Sequence, residues 1–228
     1  MVISHACYEN NWVPPEAIEG AKTLILGSFN PYNANGNNTD YYYGRQSNYF
    51  WKVIANLLGE NQHCFTNNFE NKLNVMNDYK FCFLDVISSI EISNLEDNQE
   101  LIEQFANAHI YANFSDSKLF TTSHNNAGVV LNRTYNQDVI DLIKNQSIKK
   151  VIHTMGNKTI TQNYRTKWLE NSLAELGFQG YINSILNTNI EFVPESISPS
   201  QFAVHNGGGN YLPNLTNWIS QHLEINQH

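Results

Sequence analysis

An α/β fold with a mostly parallel, doubly wound sheet is predicted by three features of this 228-residue sequence. Short aliphatic runs end in turn residues, amphipathic helical spacing fills the stretches between them, and the two alternate along the chain. Lys22-Thr23-Leu24-Ile25-Leu26-Gly27 is the first such run. Continuous aliphatics stopped by glycine read as a strand buried on both faces, and the turn-rich Asn30 to Asn38 then reads as a loop leaving its end.

From Ser47, the spacing of Phe50, Val53, Ile54, Leu57 and Leu58 predicts an amphipathic helix, with Ser47 as N-cap and Gly59 just past its end. Phe81-Cys82-Phe83-Leu84-Asp85-Val86 is a second strand, and Val151 to Gly156 a third, preceded by a helical stretch from about Gln137 to Lys144. Ile190-Glu191-Phe192-Val193, closed by Pro194, supplies a fourth strand. Helical patterns at Trp168 to Leu176 and Leu212 to Leu223 complete the alternation. Residues 98 to 136 mix a short helix near Leu101 to Phe105 with a polar stretch, and read as an insertion or cap on a single domain spanning 1–228. Sites in such folds gather at the carboxyl ends of the strands.

Composition narrows the function. A hydrophobic share of 41% and an aromatic share of 12% suffice for a packed core. No apolar run approaches the roughly 18 to 20 residues of a membrane span, and no basic stretch followed by an apolar one opens the chain, so a soluble, cytoplasmic protein is expected. Cys7, Cys64 and Cys82 show no metal-ligand spacing and, being odd in number, form no disulfide framework. There is no GxxxxGK[ST] loop, no HExxH and no paired-cysteine zinc spacing, so neither a metal nor a cofactor is expected. The net charge of −8 runs against a broad basic surface for nucleic acid. Lys149-Lys150 and Lys158, Arg165, Lys167 are the candidate cationic clusters, each equally readable as a solvated face.

Three strand-end segments carry a more specific signal. The first is Gly27-Ser28-Phe29-Asn30-Pro31 followed by Tyr42-Tyr43-Gly44-Arg45-Gln46-Ser47-Asn48-Tyr49-Phe50-Trp51; the second is Leu84-Asp85-Val86; the third is Ser196-Ile197-Ser198-Pro199-Ser200. In this order they resemble the motifs of the uracil-DNA glycosylase superfamily, closest to its hypoxanthine-excising and mismatch-specific branches. The resemblance runs from about residue 12 to 210, with two departures: the first turn is one residue longer than the family's G-x-x-P, and one extra residue precedes the serines of the last motif.

The resemblance implies a three-layer α/β/α domain with a central, mostly parallel sheet. Its implied activity is that of a monofunctional, monomeric DNA glycosylase, which flips a deaminated base, hypoxanthine or uracil, out of the stack and hydrolyses its N-glycosidic bond. Phe29 and Phe50 are then candidates to stack on the base, with Ser28 and Asp85 reading its edge; Trp51 belongs to the core. Cleavage needs a positioned water and no covalent nucleophile, and two asparagines compete for that task. Asn48 matches the family's N-x-F-W residue, and Asn30 stands immediately before the motif proline; a helix-start use for one and a turn use for the other are equally ordinary. Ser196, Ser198, Pro199 and Ser200 are implied phosphate contacts, with Gln201 or Phe202 as a wedge and His205 as a donor near the leaving base. A catalytically silent binding protein of the same fold, or a small nucleoside hydrolase, remains the alternative.

Overall fold

The computed structural model describes residues 1–34, 36, 38–93, 99–106, 130–145, 148–155, 190–193 and 195–226. In chain order these form β1 (Val2–Ser4), α1 (Ala6–Glu9), a 3-10 turn (Pro15–Ala17), β2 (Thr23–Gly27), α2 (Phe50–Leu57), α3 (Phe69–Tyr79), β3 (Phe81–Asp85) and β4 (Ile87–Ser93). There follow α4 (Gln99–Ala106), β5 (Val130–Tyr135), α5 (Asp138–Asn145), β6 (Lys150–His153), β7 (Glu191–Phe192), α6 (Gln201–Asn206) and α7 (Tyr211–Leu223).

The strands read from aliphatic runs make one four-stranded parallel sheet in the order β3-β2-β6-β7. Every residue of β2 and of β3 is buried, as a parallel sheet covered on both faces requires. The chain leaves β2 for β3 on one side and later returns to β6 on the other. That reversal makes a topological switch point between the carboxyl ends of β2 and β6, where an open α/β sheet leaves a crevice. The helices are one-sided: α2 buries Phe50, Trp51, Val53, Ile54, Ala55 and Leu57, α7 buries Leu215, Trp218, Ile219 and Leu223, and the two helices pack together. The buried residues of α5, Val139, Ile140, Leu142 and Ile143, join the same core.

The structure changes two expectations. Helix α2 begins at Phe50 rather than Ser47, because the side-chain oxygen of Asn48 takes the amide of Phe50 (2.8 Å) and turns the chain into the helix there. Residues 130–135 belong to a sheet, not to an insertion: β5 pairs antiparallel with β4, which pairs with β1, in a second, three-stranded sheet. Its Asn132, Arg133 and Thr134 are too polar to announce a strand, and β4 carries a register shift between Ile87 and Ser89 that breaks its alternation. The short helix expected near Leu101 to Phe105 is present as α4, while residues 107–129 of the expected insertion, the expected helix at Trp168 to Leu176, Pro194 and the cluster Lys158, Arg165, Lys167 lie outside the described residues.

The two sheets are joined at one residue. Val86 follows Asp85, the last residue of β3, and precedes Ile87, the first of β4. The amides of Val86 and Ile87 still bond the carbonyls of Gly27 and Ser28, at 3.1 Å each, while Ile87 is already paired with Tyr135. Asp85 therefore sits at the seam between the sheets, at the carboxyl end of the parallel one.

Candidate functional site

Four chain segments converge on that seam. The carboxylate of Asp85 is 1% exposed, and one of its oxygens, Oδ2, lies 2.7 Å from His5 Nε2 and 2.6 Å from Asn30 Nδ2. The carboxylate can only accept, so the Asn30 carboxamide must turn its NH₂ inward. Its carbonyl oxygen then points away from Asp85 and has no hydrogen-bond partner among the described residues, on a side chain that is partly exposed. The backbone of Asp85 is held as well: Asn136, just past β5, donates its Nδ2 to the Asp85 carbonyl (3.0 Å) and its own amide to Val86 (2.9 Å).

Gly27 explains how closely this centre is built. A Cβ added there would lie 2.2 Å from Asp85 Oδ1 and 2.9 Å from the Tyr43 hydroxyl. The end of β2 must therefore be glycine for Asp85 and Tyr43 to close over it. Tyr43 is half-buried, its ring stacked on Phe50 (4.9 Å, 26°) and its hydroxyl 2.7 Å from Thr154 Oγ1, just beyond β6. Thr154 in turn gives its amide to Leu26 (3.0 Å), so the ends of β2, β3 and β6 all contribute.

Burial sets the electrostatics around Asp85. The thiol of Cys7 is pushed up to about 12 by desolvation, with the Asp85 charge adding to it. Tyr42, fully enclosed, has its phenol raised by burial first and by Asp85 second. Cys7 and Tyr42 are thus held in their neutral, protonated forms beside the carboxylate.

The other expected site residues separate into groups. Phe29 is 6% exposed and packs edge-on against His5 (5.7 Å), beside the Asp85 centre. Ser28 is partly exposed at the end of β2, where its carbonyl receives the Ile87 amide. Phe50 is fully buried, so its expected stacking role is corrected: no ring face is open to a ligand, and Tyr43 covers it. Asn48 lies in a separate small cleft with Tyr43, Arg45, Lys52, Gln62 and Thr66, its oxygen occupied by the Phe50 amide.

The third motif reaches the same end of the molecule through Tyr49, whose amide donates to the Pro199 carbonyl (2.8 Å). Ser196 is 7% exposed. Ser198 and Ser200 bond each other (3.1 Å), and Ser200 caps α6 through the Ala203 amide (3.2 Å). Gln201, Phe202 and His205 project from α6; His205 Nε2 is 3.2 Å from the Tyr49 hydroxyl, and Phe202 is 79% exposed. Lys149 and Lys150 stand at the amino end of β6, the end opposite Thr154, so this pair cannot serve a ligand seated at the carboxyl ends.

Sequence reading missed His5, Tyr43, Asn136 and Thr154 as site residues. Tyr43 lay within a quoted motif; His5 gave only the weak signal of one histidine inside the short run Val2-Ile3-Ser4-His5-Ala6. Among the described residues no group of three or more His, Cys, Asp and Glu side chains is placed to hold a metal ion, and no helix is long and apolar enough to cross a membrane. Comparison with family models, with curated proteins and with solved structures gives no match.

Proposed function

We propose that this protein is a monofunctional DNA glycosylase that hydrolyses the N-glycosidic bond of a flipped, deaminated base, hypoxanthine or uracil, at the carboxyl ends of β2, β3 and β6. The observation that carries the reading is the fixed carboxamide of Asn30. Its NH₂ is committed to Asp85, and its oxygen, on a partly exposed side chain, has no hydrogen-bond partner among the described residues and is left as an acceptor. That is the group needed to hold a water against the sugar carbon as positive charge develops there. Between the two asparagines, Asn30 takes the catalytic role, because the Asn48 oxygen is already spent on the start of α2.

The rest of the site is assigned on the same footing. Phe29 and Tyr43 border the base, with Ser28 and Asp85 behind them. Phe202, a large aromatic that is 79% exposed, is suited to fill the gap a flipped base leaves in the stack. Backbone amides and hydroxyls of the 196–200 loop, with Lys52 set over the ring of Tyr49, whose amide bonds Pro199, meet the phosphates, which lets an acidic protein hold DNA over a small area. The three-layer α/β/α arrangement and a monomeric state belong to this proposal, as does a cytoplasmic setting.

The test is incubation of excess protein with labelled oligonucleotides carrying uracil, hypoxanthine or a mismatched thymine, single- and double-stranded, followed by alkaline cleavage of abasic sites. Strand cleavage at uracil or hypoxanthine is the expected result. DNA retained without any abasic product would instead identify a silent binding protein, and neither retention nor product would redirect the search to small nucleosides.

A further inference from the structure

The geometry points to His5 as the positioning residue of the site: through the shared oxygen of Asp85 it fixes the orientation of the Asn30 carboxamide. The inference rests on the catalytic reading of Asn30, and it adds a residue that no motif contains.

The proton on His5 can be placed. The Cys7 amide donates to His5 Nδ1 (3.0 Å), so that nitrogen is an acceptor and the ring proton sits on Nε2. Nε2–H then donates to Asp85 Oδ2, the oxygen that also receives Asn30 Nδ2. Two donors on one oxygen hold the carboxylate plane from both sides. Without the His5 donor, Asp85 is free to rotate about its χ angles and the Asn30 amide loses its fixed acceptor.

The imidazole is itself immobilised. It is 1% exposed and meets Tyr8, Trp12, Phe29 and Tyr42 at ring-centroid distances of 6.2, 5.8, 5.7 and 5.9 Å. Its backbone ties β4 to the loop that follows β2: the His5 amide bonds Ser88 of β4 (2.9 Å), His5 pairs with Pro31, and the next amide, of Ala6, bonds the Asn30 carbonyl (2.7 Å). Asn30 is thus held by its main chain from Ala6 and by its side chain from His5 through Asp85. An N-terminal segment that served only to cover the core would need neither contact.

His5 has two separable hydrogen bonds, which makes the inference testable. His5→Asn and His5→Ser keep a side chain able to accept the Cys7 amide as an N-cap but remove the donor to Asp85. His5→Gln does the reverse, extending an N–H to the position of Nε2. The two readouts are kcat and KM on the cleaved oligonucleotide, and the ¹⁵N–¹H resonances of the Asn30 carboxamide, identified by their loss in Asn30→Ala.

His5→Asn and His5→Ser are expected to lower kcat about tenfold with KM unchanged within about twofold, while His5→Gln stays within about threefold of wild type. The Asn30 resonances are expected to shift in the first two and hold in the third. Equal kcat in all variants, an equal fall in all, or unshifted Asn30 resonances in His5→Asn would overturn the inference. So would failure of both capping variants to fold while His5→Gln folds, since His5 would then be structural. A wild type that cleaves no substrate removes the glycosylase reading alone; the carboxamide resonances still decide whether His5 orients Asn30.

Discussion

Two carboxylates at this end of the molecule have opposite surroundings. Asp40, at the start of the Tyr41-Tyr42-Tyr43 segment, is ion-paired with Lys72, a lysine of α3 whose side chain is 1% exposed. Among the described residues neither lysine nor arginine pairs with Asp85; it is met by an imidazole and a carboxamide. The first ties a loop to a helix through one oxygen, Oδ2, while the other, Oδ1, is buried without a hydrogen-bond partner among the described residues. Gly44 shows how tight that tie is, for a Cβ there would come within 2.0 Å of Asp40 Oδ1. The second is built from dipoles, and beyond it the Asn30 oxygen, on a partly exposed side chain, has no partner among the described residues. A buried charge neutralised by its partner holds structure, whereas one shared among oriented dipoles can pass its orientation outward.

The comparison is broken most strongly at Asp40. Asp40→Ala leaves Lys72 buried without its partner and is expected to cost about 3 kcal/mol of stability, read as a lowered denaturant midpoint. Lys72→Met leaves Asp40, with a side chain 24% exposed, able to reach water, and is expected to cost less. Equal losses would mean that packing, not charge, is what the pair supplies.

A smaller effect is expected at the surface proposed to meet DNA. Phe202→Ala removes a side chain that is 79% exposed, so stability is expected to stay within about 0.5 kcal/mol of wild type. Affinity for DNA carrying an abasic site is expected to fall about tenfold, the value of one lost aromatic contact with a base. Loss of stability without loss of affinity would place Phe202 in packing with residues beyond those described.

The last effect is graded with pH. Burial raises the thiols of Cys7, pushed up to about 12, and of Cys82, and it raises the phenols of Tyr41 and Tyr42. In the unfolded chain these groups ionise from about pH 9 upward. The folded state then holds protons the unfolded state has released, so the stability they contribute is complete below about pH 9 and declines as pH rises through the folded values. Lys72, lowered by burial against the opposing effect of Asp40, works in the other direction as pH approaches 10.5. Melting temperature is expected to change little from pH 7 to 9 and to fall from pH 9 to 10.5; a rise over that second interval would give Lys72 the larger share.

What was legible in the sequence follows from burial. β2, β3 and β6 could be read because a parallel strand covered on both faces must be an unbroken aliphatic run. β4 and β5 could not, since the register shift between Ile87 and Ser89 breaks the alternation of β4 and β5 carries the polar run Asn132-Arg133-Thr134; β1 is only three residues long. Asp85 and Asn30 were readable as polar residues at strand ends. His5 was not, because what makes it part of the site is contact with residues 25 and 80 positions away, brought about by the pairing of β1 with β4. The difference between Asn30 and Asn48 was likewise closed to the sequence: the same carboxamide can begin a helix, as Asn48 does, or give its NH₂ to a buried carboxylate, as Asn30 does.

The most direct measurement is single-turnover cleavage of the uracil or hypoxanthine oligonucleotide by Asn30→Ala and Asn48→Ala beside wild type. Asn30→Ala is expected to slow the chemical step about 100-fold or more without loss of fold. Asn48→Ala is expected to lose about 1 kcal/mol of stability with its helix-start bond and to cleave at nearly the wild-type rate. The reverse outcome, cleavage abolished in Asn48→Ala and retained in Asn30→Ala, would contradict the account and move the reaction to the cleft beside α2.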